Sequence, residues 1–124
     1  MKKNSFRDLD AYIEGKELVK GVYALLKKFP KEEQYAMCDQ LRRAAISITS
    51  NIAEGSGRAS SKEKVHFLEI SYGSLMEVLS QLDIANELGY ISEQEFSDIE
   101  VQIEKEAKII SGLKSYFVTL TKQP

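Results

Sequence analysis

The sequence predicts an all-α protein, an antiparallel up-down-up-down four-helix bundle built from residues 1–124 as a single domain. Three observations predict it. Apolar residues recur at alternating spacings of three and four along four long segments, which is the period of one helix face. Breaks carrying Pro or Gly separate those segments, and no strand-like alternation of useful length occurs. At 124 residues, 43% hydrophobic and 29% charged, with only two prolines, the chain suits one helix-rich globular core.

In the first segment Tyr12, Gly15, Val19, Val22, Leu26 and Phe29 form the apolar stripe, and Leu9, Leu18 and Leu25 widen it. Pro30 cannot continue that helix but fits the first turn of the next. Glu32 and Glu33 follow, where negative charge suits a helix N-terminus. The second stripe is Cys38, Leu41, Ala45, Ile48 and Ile52, and its helix is expected to end at Gly55 as a left-handed C-cap. "GSGRAS" is then the loop. Ser60 and Glu63 have capping-box spacing at the start of the third segment, whose seam is Val65, Leu68, Tyr72, Leu75, Leu79 and Leu82, with Gly89 as its stop. Ser92 and Glu95 make a second capping box, and Ile91 with Phe96 has the spacing of a hydrophobic staple. The fourth seam runs Phe96, Ile99, Ile103, Ile110, Leu113, Phe117 and Leu120. Glu106 falls on it, and Ala107 beside it is expected to fill in. Short connections make successive helices antiparallel neighbours.

No apolar run reaches the ~20 residues of a membrane span, and no apolar stretch follows the charged N-terminus as in a secretory signal. Cys38 is the single cysteine, which excludes an internal disulfide. These features together predict a cytoplasmic protein. The net charge of −2 is unevenly spread: residues 1–58 carry 11 Lys/Arg against 8 Asp/Glu, and residues 59–124 carry 6 against 11. A nucleic-acid-binding chain usually shows an overall basic excess. Complementary halves instead favour packing of N-terminal helices against C-terminal ones, within a chain or between chains.

The stretch "QLRRAAISITSNIAEGSGRAS", residues 40–60, is unusual. With Leu41, Ala45, Ile48 and Ile52 facing the core, Arg43, Ser47, Asn51 and Glu54 are expected on the opposite side. Ser, Thr and Asn are mediocre helix formers, and a solvated face would carry longer charged residues. Small polar residues let another backbone approach closely, so this face is expected to be a helix-packing or subunit interface. Gly73, mid-helix between Ser71 and Ser74, suggests a second point of close approach. The glycine loop lacks both phosphate-loop patterns and follows no strand. An anion there could be met by Arg58 and the capping serines.

The catalytic inventory is thin. His66 is the lone histidine, too few for a carboxylate-bridged di-iron bundle. Cys38 sits on a core stripe, where a small buried hydrophobe is the default. Glu104/Glu106 and Glu93/Glu95 are expected on solvated helix surface or at helix N-terminal positions, and the six tyrosines mostly at core or boundary positions. No nucleophile, base and oxyanion donor assemble. No enzyme activity, cofactor, metal or small-molecule substrate is predicted.

Several motifs together give a family resemblance. Phe29-Pro30 with Glu33, Gln40 to Ala44, Ser47-Ile48 with Asn51 to Gly55, Gly57-Arg58, Gly73-Ser74 with Glu77, and Leu88 to Tyr90 make the chain resemble the bacterial 23S rRNA-intervening-sequence proteins over residues 6–120. The resemblance implies a four-helix bundle, ring-like homopentamers and no enzymatic activity. A related branch serves reverse transcriptases of diversity-generating retroelements through a basic surface, whereas this chain is net acidic. The leading expectation is therefore a self-associating scaffold or accessory subunit. The alternative is an RNA-binding accessory protein, docking phosphates with Lys2, Lys3, Lys27, Lys28, Lys31, Arg42, Arg43 and Arg58.

Overall fold

The structure, a computed structural model, describes residues 5–122. Four helices make up almost all of it: α1 (Asp10–Leu26), α2 (Met37–Ser56), α3 (Ser61–Glu87) and α4 (Glu93–Thr121). Single 3-10 turns stand at Phe6–Asp8 and Lys31–Glu33, and no strand occurs among the described residues.

The cross-helix pairs define the topology. Along α2 and α3, Gln40 meets Gln81, Ser47 meets Ser74, and Ile48 meets Ser71, so one number rises as the other falls. Glu14 with Lys105 and Lys28 with Glu95 run the same way between α1 and α4, and Lys114 of α4 meets Glu69 near the start of α3. Gly15 of α1 packs on Thr49 of α2, closing the ring of four. The chain is an up-down-up-down bundle.

The heptad-like stripes converge on one core. Leu18, Val22, Leu41, Ile48, Leu75, Leu82, Ile103 and Ile110 are all essentially solvent-free. Burying side chains of this size contributes about 1.5–3 kcal/mol each, an upper estimate because the unfolded chain already hides some of that area. The α4 capping box forms in full: Ser92 Oγ accepts from the Glu95 N–H at 3.0 Å, and Glu95 accepts from the Ser92 N–H at 2.8 Å. Ser60 caps α3 by accepting from the Glu63 N–H. Gly89, the expected stop, has φ +80°, in the left-handed region.

Four expectations are corrected. Pro30 opens a 3-10 turn rather than α2, which begins only at Met37, after Ala36 leaves the helical region at φ −122°, ψ −98°. Gly55 is a buried residue inside α2, not a left-handed cap. A methyl added there would sit 2.8 Å from Phe67 Cβ, so its missing side chain admits α3. Gly73 is no point of close approach within the chain, since nothing lies within 4 Å of where its Cβ would be. Glu106 is not covered by Ala107 and is not on solvated surface: it is 0% exposed and takes the core position itself.

Candidate interaction surface

The polar stretch of α2 lies on the flank of the helix turned to α3, not opposite the core. Ser47 and Asn51 are half-buried there, whereas Arg43 and Glu54 are exposed. Ser47 Oγ lies 2.8 Å from Ser74 Oγ, and the Asn51 amide donates to the Ser47 carbonyl at 2.8 Å and to its hydroxyl at 2.9 Å. One turn away, buried Ser71 donates across the seam to the Ile48 carbonyl at 2.8 Å. Thr49 turns its hydroxyl back to the Ile46 carbonyl of its own helix. Small side chains along both helices thus let their backbones come close, with hydroxyls satisfying what burial would leave unpaired. The expected packing partner of Ser47 is α3 of the same chain. The sequence names these residues but carries no sign of which flank α3 would cover.

The outward side of this helix pair is different. Ile70, Ile84 and Leu88 are 39%, 47% and 55% exposed. At 100° per residue they share one stripe of α3 with Gly73 and Glu77. The register of the Gln40–Gln81 and Ser47–Ser74 pairs sets Arg43 level with Glu77, yet no ion pair joins those two among the described residues. Ile46 on α2, at 44% exposure, lies farther round.

The candidate nucleic-acid cations share one end of the bundle except for Arg58. Lys27, Lys28, Lys31 and Arg42 stand at one end of the bundle. Arg58 lies sixteen residues beyond Arg42 along α2, about 24 Å away. Several are already engaged. Lys28 pairs with Glu95. Arg42 holds Asp39 at 2.8 Å and donates to the Gln34 carbonyl at 3.2 Å, anchoring the turn before α2. Arg58 pairs with Glu54 at 3.0 Å and lies over the Phe67 ring, 4.7 Å from its centre. Lys27, Lys31 and Arg43 are exposed, and Lys2 and Lys3 lie outside the described residues. The serines near Arg58 are also committed, Ser60 to Glu63 and Ser56 to the Ala53 carbonyl.

Chemistry-bearing side chains stand apart. Cys38 is fully buried, and burial pushes its thiol up, with the Arg42 charge offsetting this only in part. A protonated, enclosed thiol is a packing group. His66 is exposed and edge-on to Phe67, and no group of three metal-ligating side chains occurs among the described residues. Tyr90 donates to Glu33 at 3.0 Å and packs on Phe29, tying the α3–α4 loop to the turn after α1. Tyr23, Tyr35 and Tyr116 are exposed, so only half the tyrosines keep the expected core or boundary places. A cavity of about 160 Å³ opens beside Phe6, Ile52, Leu68 and Phe117. Its one charged lining group, Lys64, donates to the Ser56 carbonyl at 3.0 Å and so caps the end of α2.

The four-helix fold agrees with a comparison to known proteins. The family model for the 23S rRNA-intervening sequence protein matches residues 7–112. The chain belongs to that family. The matched span contains α1, α2 and α3 whole, and most of α4, so membership covers the bundle rather than a single motif. Among curated proteins no match is found. Membership of the 23S rRNA-intervening sequence proteins agrees with the quoted motifs, all of which lie between Phe29 and Tyr90. No described helix is long and apolar enough to cross a membrane.

Proposed function

We propose that this 23S rRNA-intervening sequence protein is a non-enzymatic scaffold or accessory subunit that self-associates through the outward face of α3. One observation carries the proposal. Ile70, Ile84 and Leu88 stand exposed on a single stripe, and Gly73 between them has open space where a side chain would be. A mid-helix glycine costs about 1 kcal/mol relative to alanine, and no neighbour inside the chain requires it. A second helix seated on the stripe would. Arg43 and Glu77, level and without an ion pair to each other, offer charges to such a neighbour. Ser47 and Asn51 then serve the assembly indirectly, by holding α2 against α3. A ring of five copies is the assembly that the family resemblance implies.

Sedimentation velocity tests this directly. The wild-type chain should sediment well above its 14.0 kDa mass. Ile70→Lys with Ile84→Lys should release smaller species while far-ultraviolet circular dichroism stays helical, because both positions are exposed. A wild-type monomer sinks the proposal, and a double variant of unchanged size moves the interface elsewhere. The RNA-binding alternative is decided in the same preparation by fluorescence anisotropy with structured RNA. Phosphate contacts would show as affinity falling steeply with salt.

A further inference from the structure

Glu106 lies in the middle of α4, wholly shielded from solvent, and neither carboxyl oxygen has a hydrogen-bond partner. Helix α1 closes on it with Gly15, where an added methyl would sit 2.8 Å from Glu106 Oε2 and 2.9 Å from the Thr49 γ-methyl. Because the Thr49 hydroxyl is turned to the Ile46 carbonyl, α2 presents that methyl, not a donor, to the same spot. The one charge that bears on the carboxyl is Glu14 of α1, itself paired with Lys105 of α4 at 2.8 Å. Helices α2 and α3 bring no titratable group that acts on it. A carboxylate here would lose its water, gain no hydrogen bond and face a like charge, whereas the neutral acid avoids most of that cost.

We propose that α1 closes on α4 only while Glu106 is protonated, and that its ionisation opens this seam to water. The seam is the one suited to yield. Between α2 and α3, buried Ser71 and half-buried Ser47 bond across the interface. Between α1 and α4, the polar side-chain ties among the described residues are the surface ion pairs Glu14–Lys105 and, just past the end of α1, Lys28–Glu95. Gly15 and Gly21 hold α1 close, the latter with Ile99 Cδ1 3.0 Å from a would-be Cβ. A small outward shift of α1 past Gly15 would bring water to the carboxyl. Burial, and after it the Glu14 charge, push Glu106 up to about 8, against 4.5 for an ordinary glutamate. Between those values opening releases one proton, so the open fraction rises about tenfold per pH unit and levels off above the upper one.

Hydrogen–deuterium exchange on the whole chain at about pH 6 and about pH 8, corrected for intrinsic rates, reads this opening. Amides of α1 and α4 should lose about 50-fold more protection in wild type than in Glu106→Gln, which mimics the neutral acid, the closed form being half ionised at the upper pH. A loss shared equally by all four helices, or equally large in Glu106→Gln, overturns the proposal. Should that variant fail to fold, a carbon-13 titration of the Glu106 carboxyl in wild type decides. A midpoint near 8 supports the proposal, and one at the ordinary 4.5 overturns it.

Discussion

A methyl group added at Gly55 would lie 2.8 Å from Phe67 Cβ, an atom too near the α3 backbone to swing aside. Gly55→Ala should therefore force α2 and α3 apart and cost about 1–3 kcal/mol, the range for overpacking a tight contact. Thermal or urea unfolding would read it. Gly73→Ala should do the reverse. Its Cβ would enter open space on an exposed helix, gaining up to about 1 kcal/mol of helix propensity while lowering the sedimentation coefficient if a neighbour uses that gap. A Gly73→Ala chain that gains stability and keeps its assembly would show that α3's stripe is free. Sequence alone reads Gly55 as a helix end and Gly73 as the close approach, the reverse of the structure, because both sit in helix-compatible surroundings. What differs is the distance to another helix. Glu106 is similar: its seam position argued for the core and its charge for the surface. Only the meeting of Gly15, Thr49 and α4 resolves that conflict.

At the scale of elements, α3 and α4 were the most legible because each is written twice, once in its stripe and once in the serine cap at its start. Ser92 with Glu95 gives both halves of the α4 capping box, and Ile91, 4% exposed, supplies the buried half of the staple with Phe96. Ser92→Ala should cost about 1 kcal/mol, the usual worth of an N-cap. The loss should appear in equilibrium unfolding without change of assembly, since the cap faces no predicted interface. The start of α2 was less legible. Proline stands before a 3-10 turn as readily as before an α-helix, and the break at Ala36 leaves no residue-type signature. The flank of α2 covered by α3 was equally hidden. Stripe arithmetic locates the core centre, but the tilt that brings Ser47 to Ser74 depends on both helices at once.

At the scale of the whole molecule, charge placement sets how stability responds to pH, and the carboxylates divide into two groups of opposite sign. Glu95 is held low by its hydrogen bond from Lys28 and by the Ser92 N–H. Its folded value lies below its unfolded one, so its contribution is present above the unfolded value and lost as pH falls. Glu106 is raised, from 4.5 to about 8. The folded chain keeps that proton longer than the unfolded chain, so stability is greatest below 4.5 and declines as pH climbs toward 8. Each pH unit in that window removes about 1.4 kcal/mol, and the full passage about 5 kcal/mol at most. Lys105 adds an opposite-charge case: Glu14 raises it, and its contribution is lost only at strongly alkaline pH. The expected profile is a dome whose summit lies on the acid side of neutrality. Urea midpoints measured from about pH 4 to about pH 9 should show that descent through neutrality in wild type. Glu106→Gln should flatten the neutral and alkaline limb while leaving the acid limb in place, because Glu95 and Lys28 are untouched. A wild-type profile that is level from about pH 5 to about pH 8 would mean that the folded bundle already hydrates Glu106.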